Sequence, residues 1–266
     1  MTAPIITLLT DFGLEDAYVA SMKGVILEIC PDARLIDISH LVPPQDVRTG
    51  AYLLASTASD FPPGTIHLAV IDPGVGTERR GLSIRADDRF FVGPDNGLFS
   101  WVLRQASTWE AFCLENPAYW RPTVSKTFHG RDIFAPVAAH LARGLPAPAL
   151  GPPCTPQRAS WAKVVETGEE ILGEIIHIDH FGNAVTNVSR EVLNRFASGS
   201  RTVVRIGAFN ISPIVGTYSD QDPGKVMALI GSSGRLEIAV NRGNAARHYD
   251  LRRADPVRIV RKDGNE

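Results

Sequence analysis

Three short apolar runs in the first third of the chain, each followed by a polar or glycine-containing loop, constrain the fold more than any other feature. They cover residues 5–10, 35–38 and 66–71, and patterns with helical spacing lie between them at 18–29 and 46–57. Pro31 ends the first of these helices, and Asp46 suits the N-cap position of the second. Because strand, helix and strand follow one another, we predict a mostly parallel sheet with helices on both faces.

The second half of the chain has a different pattern. The segment 144–156 contains five prolines, which is typical of a linker. Beyond it, Gly, Asn, Ser and Asp residues separate short β-like runs at 173–178, 202–206, 226–230, 236–240 and 257–260, as in a small β-barrel or sandwich. We therefore expect an N-terminal α/β domain at 1–145, a proline-rich linker at 146–168 and a C-terminal β-barrel domain at 169–266.

The composition excludes several classes of protein. The 266 residues are 44% hydrophobic and 21% charged, as in a folded globular protein. The net charge of −2 provides no long-range electrostatic attraction to nucleic acid or to an anionic membrane. No apolar run approaches the roughly 18 residues that span a bilayer, and the start lacks a secretory pattern. A cytoplasmic location follows by elimination. The three cysteines are far apart and predict neither a disulfide framework nor a zinc site.

The loop after the third strand, Asp72-Pro-Gly-Val-Gly-Thr-Glu-Arg79, carries the most information about function. Its glycines allow the backbone to approach a ligand closely, and a carboxylate and a guanidinium on one loop can converge on a small volume. A glycine turn with a surface ion pair is the competing interpretation. The loop lacks the ending of a phosphate-binding P-loop, and it follows the wrong strand for a Rossmann fingerprint.

Other polar residues have both a functional and a structural interpretation. His129 lies at a predicted helix start, where a lone histidine often serves only as a structural hydrogen-bonding group. Asp11 follows the first strand and is compatible with capping the next helix, and Asp16 with a surface charge in that helix's first turn. The stretch 179–183 is compatible with a polar turn. The histidines are scattered without metal-ligand spacing, so we predict no metal site.

Five motifs, taken in order along the chain, resemble those of one enzyme family. They are Thr10-Asp11-Phe12-Gly13, Ile71-Asp72-Pro73-Gly74-Val75-Gly76-Thr77, Gly93-Pro94-Asp95-Asn96-Gly97, Thr127-Phe128-His129-Gly130-Arg131-Asp132 and Asp179-His180-Phe181-Gly182-Asn183. Together they resemble the S-adenosylmethionine (SAM) hydrolases, also called SAM hydroxide adenosyltransferases, which are relatives of the fluorinase and chlorinase enzymes. Each motif alone is weak, but five in sequence across both halves of the chain are specific.

The resemblance implies an N-terminal α/β domain joined to a C-terminal β-barrel, in agreement with the pattern above. It also implies a homotrimer, with each active site between one subunit's N-terminal domain and its neighbour's C-terminal domain. It further implies that SAM is the substrate and that no metal or organic cofactor takes part.

The family's functional residues match specific positions in this sequence. The Asp-Arg-His set that acts on the attacking water matches Asp72, Arg79 and His129, where we expect a protonated or hydrogen-bonded histidine. The residues matching substrate contacts are Asp11 for both ribose hydroxyls, Asp16 and Asp179 for the methionine ammonium, Asn183 and Tyr218 for adenine, and Ser232 for the methionine carboxylate.

The sequence departs from the halogenating relatives in informative ways. Those enzymes carry tyrosine where this chain has Asp72, and the fluorinase has serine at Gly130 and arginine at Ser233. The segment 241–246 is two residues longer than in the fluorinase, so its adenine contacts are not assigned. We predict hydrolysis of SAM to adenosine and methionine by attack of activated water at the ribose C5′. The alternatives are a SAM-dependent chlorinase and a non-catalytic adenosine- or SAM-binding protein.

Overall fold

The computed structural model describes residues 3–197 and 201–261. The chain divides into two compact units, Met1–Ala159 and Ser160–Glu266, which are described here one at a time. The division falls within the proline-rich segment 146–168. The limits of that segment as a linker stay a prediction.

Unit 1 contains a six-stranded sheet in the order β2-β1-β3-β5-β4-β6 among its described residues. Strands β2, β1, β3 and β5 run parallel, and β4 pairs antiparallel with both β5 and β6. The strands are β1 (Ile5–Thr10), β2 (Arg34–Ser39), β3 (Ile66–Val70), β4 (Gly81–Ala86), β5 (Arg89–Pro94) and β6 (Trp109–Cys113), and the helices are α1 (Tyr18–Ile29), α2 (Val47–Thr57), α3 (Ser100–Gln105) and α4 (Ala135–Ala142).

Burial explains the order of these strands. Strands β1 and β3 lie in the interior of the sheet, where every one of their residues except Ile5 is buried and most are apolar. Helices α1 and α4 pack together on one face, and α2 and α3 cover the other. Asp46 caps α2 by accepting a hydrogen bond from the Thr49 amide at 3.0 Å. The predicted parallel-rich α/β sheet and this cap are confirmed.

The first part of the proline-rich segment packs on unit 1. Ala147 and Leu150 belong to its buried core, and the Pro152 carbonyl accepts a hydrogen bond from the Cys113 amide at 2.9 Å. The Gln157 amide donates to the Asp95 carboxylate at 2.7 Å. Backbone pairing along β6 therefore fixes much of this segment.

Unit 2 is built from short strands, as predicted. Nine strands of its described residues form one sheet along the path β11-β10-β15-β8-β9-β14-β13-β12, with β7 paired to β8. They are β7 (Val165–Glu166), β8 (Glu170–Ile178), β9 (Ala184–Ser189), β10 (Thr202–Ile206), β11 (Phe209–Ile211), β12 (Ile214–Val215), β13 (Val226–Ile230), β14 (Arg235–Val240) and β15 (Pro256–Arg261), with helices α5 (Arg190–Ala197) and α6 (Ala245–His248).

The two ends of this path approach each other, since β10 and β11 contact β12 and β13. The sheet therefore bends into a nearly closed barrel around an apolar core that includes Ile171, Val204, Ile238 and Ile259. The predicted β-barrel architecture is confirmed. Separately, within residues 3–197 and 201–261 no helix is both long and apolar enough to cross a membrane.

Candidate active site

The first group of candidate residues lies at one edge of the unit 1 sheet. Thr10 and Val70 are register partners at the ends of parallel strands β1 and β3, so the loops that follow them emerge side by side. Asp11 and Asp72 consequently line the same cavity, which has a volume of about 390 Å³. This edge, beyond the carboxyl ends of parallel strands, is where open α/β sheets bind ligands.

Arg79 joins Asp72 to His129. Its Nε donates to Asp72 Oδ1 at 3.0 Å and its Nη2 to Asp72 Oδ2 at 2.5 Å, a two-bond arrangement that fixes both side chains. Nη2 also lies 3.1 Å from His129 Nδ1. The Arg79 and Asp72 side chains are only 9% and 5% exposed, so this is not the surface ion pair of the competing interpretation.

The protonation state of His129 follows from its partner. A guanidinium has only donors, so His129 Nδ1 must accept, and the ring in this contact is neutral with its proton on Nε2. Burial and the Arg79 charge lower the pKa of His129, although the Asp72 and Asp132 carboxylates oppose this shift. Of the two states expected from the sequence, the geometry therefore favours the neutral, hydrogen-bonded one.

The glycine loop brings Arg79 and His129 together because its backbone fits closely against the segment before His129. Gly76 has φ of 76°, and a Cβ there would overlap the Lys126 carbonyl oxygen. Within the loop, Thr77 Oγ1 donates to the Gly74 carbonyl at 2.7 Å and accepts from the Arg79 amide at 3.2 Å. A side chain at position 76 would push the two segments apart.

A buried carboxylate anchors the chain segment that contains His129. Asp132 is fully buried; it accepts from the Ser125 amide at 2.8 Å and from Arg131 Nε at 2.6 Å. It lies in a π-helical turn, Gly130–Phe134, that leads into α4, and such turns are frequent at functional sites. The sequence motif contained Asp132 but gave no sign of this positioning role.

Asp11 does not cap α1, whose N-cap is Ala17 without a side-chain hydrogen bond. Instead, Asp11 Oδ2 accepts from the Gln45 amide at 2.7 Å, and Gln45 adopts a φ of 66°. Burial raises the pKa of Asp11, with a smaller contribution from Asp72, while the Gln45 amide opposes it. Asp16 is exposed in the segment just before α1.

A chain of polar groups that runs from the exposed Asp37 to the buried His40 and Thr10 supports the Asp11 loop. Thr10 Oγ1 lies 2.8 Å from His40 Nδ1 and accepts from the Phe12 amide at 3.3 Å. His40 Nε2 lies 3.1 Å from Asp37 Oδ1, and Lys23 donates to the same carboxylate at 2.7 Å. Both Thr10 and His40 are buried. Sequence reasoning missed this network because its members are distant in the chain.

The second group lies on the turns of unit 2. Asp179 follows β8, and its Oδ1 accepts from the amides of Phe181 and Asn183 at 2.9 and 2.8 Å, while Oδ2 accepts from Asn183 Nδ2 at 2.9 Å. Asp179 and Asn183 therefore hold the hairpin turn to β9 as a unit. Gly182, with φ of 85°, leaves space that the Asn244 amide occupies.

Two other predicted residues lie near a carboxylate that sequence reasoning missed. Tyr218 is 41% exposed, and its hydroxyl donates to Glu237 Oε1 at 2.6 Å. Ser232 is exposed on the turn between β13 and β14. Glu237 is only 6% exposed on β14. A glutamate in an alternating strand pattern gives no local signal that it is buried.

Both units of the chain match known proteins of one family. Residues 6–151 match the SAM hydroxide adenosyltransferase N-terminal domain, and residues 173–258 match the C-terminal domain of that family. The (R)-S-adenosyl-L-methionine hydrolase of Thermus thermophilus is 41% identical over 263 residues, covering 95% of this chain and 98% of that protein.

A solved structure and a more distant relative complete the comparison. The crystal structure of an uncharacterized conserved protein from Thermotoga maritima has a TM-score of 0.89 and 37% identity, covering 96% of this chain and 100% of that one. A fluorinase from Nocardia brasiliensis is 28% identical over 294 residues, covering 96% of each chain. Because the matches cover both domains and nearly the whole length, this chain belongs to the SAM hydroxide adenosyltransferase family.

Proposed function

We propose that this protein hydrolyses S-adenosyl-L-methionine to adenosine and L-methionine, and that its substrate is the (R) epimer at sulfur. The network of Asp72, Arg79 and His129 beside the Asp11 cavity carries this proposal. The epimer rests on the name of the Thermus relative, an (R)-S-adenosyl-L-methionine hydrolase.

The reaction is an in-line displacement at the ribose C5′. The water oxygen forms a bond to C5′ as the C5′–S bond breaks, and the electron pair of that bond goes to sulfur. Methionine then leaves as a neutral thioether, so no acid is needed at the leaving group. The difficult partner is water, whose pKa in bulk is about 15.7.

The unit 1 network suits the activation of water. Neutral His129 donates a hydrogen bond from its Nε2–H group to the water oxygen and stabilises the negative charge that develops there. Asp72 retains free lone pairs beyond those bonded to Arg79, and it accepts the proton that the water loses. Arg79 keeps the Asp72 carboxylate and the imidazole in fixed positions. This scheme asks for no metal or organic cofactor.

The remaining predicted residues bind the substrate. Asp11 accepts hydrogen bonds from both ribose hydroxyls. The Gln45 amide bonds to Oδ2, which leaves Oδ1 for this role. Asp16 and Asp179 bind the methionine ammonium. The other three contacts are Asn183 and Tyr218 for adenine and Ser232 for the methionine carboxylate.

Two features argue against halogenation. Asp72 would place a negative charge beside a halide, which is unfavourable at short range. A Cβ at Gly130 would lie 3.3 Å from Met22 Sδ and 3.4 Å from ring atoms of Phe12 and Phe128, so a serine there would require these side chains to shift. Because the Asp72 charge disfavours any halide, the chlorinase alternative is the weaker one.

The test is incubation of the purified protein with (R)- or (S)-SAM, with and without chloride, in water enriched in ¹⁸O. We expect adenosine with ¹⁸O in its 5′-hydroxyl, released faster from the (R) epimer. Chlorinated nucleoside would support the halogenase. Binding of SAM without any product would support a non-catalytic role, and label elsewhere would overturn attack at C5′.

We further propose a homotrimer in which unit 1 of one subunit and unit 2 of its neighbour complete each site, as the family resemblance implies. Mixing inactive His129→Ala chains with inactive Asp179→Ala chains tests this arrangement. With equal amounts and free exchange, about one quarter of the sites pair two intact halves, so about a quarter of wild-type activity should return. No rescue after demonstrated exchange, or a fully active monomer, would refute the shared site. Cytoplasmic location stays a prediction.

A further inference from the structure

Glu237 is a buried carboxylate to which the proposed reaction assigns no role. It lies on β14 with 6% of its surface exposed, paired in register with Leu229 of β13 and Val185 of β9. Burial raises its pKa, and the Asp179 carboxylate acts in the same direction, while the hydrogen bond from Tyr218 opposes both. Burying such a group costs folding free energy, so its presence needs an explanation other than stability.

Its two oxygens contact two separate elements of unit 2. Oε1 accepts the Tyr218 hydroxyl at 2.6 Å, and this bond fixes the far end of a ring that is otherwise 41% exposed. Oε2 lies against Gly231, where any Cβ would overlap it.

Gly231 begins the turn that carries Ser232. The Gly231 amide donates to the Arg235 carbonyl at 2.9 Å, and the Gly234 amide to the Gly231 carbonyl at 3.0 Å. The missing side chain at position 231 thus lets the Glu237 carboxylate lie directly beneath this turn.

We propose that Glu237 is a positioning residue that fixes the Tyr218 ring and the Ser232 turn relative to each other for substrate binding. This inference rests on the proposed function, because Tyr218 and Ser232 are the proposed contacts to adenine and to the methionine carboxylate. A charged acceptor suits this role because its hydrogen bonds are stronger and more directional than those of a neutral group. The consequence is confined to affinity, since the groups that act on water belong to unit 1.

Steady-state kinetics on Glu237→Met, Glu237→Gln and Tyr218→Phe test the inference. Methionine fills similar volume without an acceptor, so KM should rise about tenfold while kcat stays within about twofold. Glutamine keeps an acceptor oxygen for the Tyr218 hydroxyl and should restore KM to within about threefold of wild type. Tyr218→Phe should raise KM as Glu237→Met does, and the double variant should add little, because both changes break one bond.

Glu170→Met is the matched control. Like Glu237, Glu170 is a carboxylate on a strand of unit 2, but it pairs with Arg258 instead of Tyr218. Because Glu170 has no proposed role in substrate binding, its loss should leave KM unchanged. Thermal unfolding of Glu237→Met should occur at the same or a higher temperature than in wild type, because a buried charge is removed.

The outcomes separate the inference from the proposed function. If wild type releases no adenosine, the function fails, whatever the variants do. If wild type is active and Tyr218→Phe and Glu237→Met keep the wild-type KM, the positioning role is wrong. It is also wrong if Glu237→Met loses stability and kcat together and glutamine does not rescue KM. Should the methionine variant fail to fold, comparison of KM between Tyr218→Phe and Glu237→Gln still tests the positioning role.

Discussion

The residues proposed to act on water in unit 1 and two of the proposed substrate contacts in unit 2 differ in how they are held. In unit 1, Asp72 and Arg79 are a nearly buried ion pair joined by two hydrogen bonds, with His129 on the same guanidinium. In unit 2, Tyr218 is exposed at the start of a short 3₁₀ helix, Tyr218–Asp220, and Ser232 is exposed on the turn between β13 and β14.

This difference corresponds to two physical tasks. Charge that develops on an attacking water is best stabilised by groups already oriented in a poorly solvated site, because no reorganisation is then needed during the reaction. Binding of adenine and amino acid groups requires only complementary surfaces, which turns on a barrel can provide. We therefore expect changes in the Asp72–Arg79–His129 network to lower kcat and changes at the proposed substrate contacts to raise KM.

The largest expected effect comes from Arg79→Gln. Loss of the guanidinium leaves Asp72 and His129 unoriented, and kcat should fall about 10²- to 10³-fold. Arg80→Gln is the matched control, because the neighbouring Arg80 pairs with the Asp95 carboxylate instead. A kcat within tenfold of wild type for Arg79→Gln would remove the distinction between the two units. Calorimetry with adenosine, expected to change little, checks that the site still forms.

The next prediction concerns the stability of unit 1 in acid. Burial lowers the pKa of His67 from 6.5 to about 4, and its Nδ1 lies 2.8 Å from Thr7 Oγ1. The unfolded chain therefore binds more protons than the folded one between these values. The stability that neutral His67 provides is complete above pH 6.5 and falls by about 3 kcal/mol as the pH drops to 4.

Urea unfolding at several pH values measures this effect. His67→Gln should flatten the dependence of the free energy of unfolding on pH between 4 and 6.5, whatever its effect at neutral pH. His180→Gln, at an exposed histidine of unit 2, is the control variant. An unchanged slope in His67→Gln would mean that other groups dominate acid unfolding.

A moderate effect is expected at the ribose contact of unit 1. Asp11→Asn removes the charged acceptor of two hydroxyls, and the dissociation constant for adenosine should rise about 10- to 100-fold, since a charged hydrogen bond contributes about 1.5–3 kcal/mol. Isothermal titration calorimetry measures this dissociation constant. The control is Asp88→Asn, which changes an exposed carboxylate. Unchanged affinity would exclude Asp11 from the ribose site.

The smallest effect should come from Ser232→Ala. One exposed hydroxyl on a turn contributes about 0.5–1.5 kcal/mol, so KM should rise about two- to tenfold with kcat unchanged. Initial rates over a range of SAM concentrations provide both constants. A drop in kcat with constant KM would contradict the assignment of unit 2 to recognition.

Local pattern predicted much of the fold. The strands predicted at 5–10, 202–206 and 226–230 have those limits in the structure, since each is a continuous β-like run bounded by polar or turn residues. Strand β9 escaped prediction because Thr186 and Asn187 interrupt its apolar pattern. Both are buried, with partners far along the chain: Thr186 donates to the Leu236 carbonyl and Asn187 to that of Lys163.

The sequence by itself determined the elements and the Asp72–Arg79 loop, because strand period, helix period, caps and glycine turns depend on residues a few positions apart. Only the tertiary structure decided which ionisable groups are buried and what faces them. The neutral state of His129 depends on Arg79, 50 positions away, and the burial of Glu237 on a strand pairing and on Tyr218. Solvation and charge pairing act through space, so a linear pattern cannot encode them as it encodes a helix or a turn.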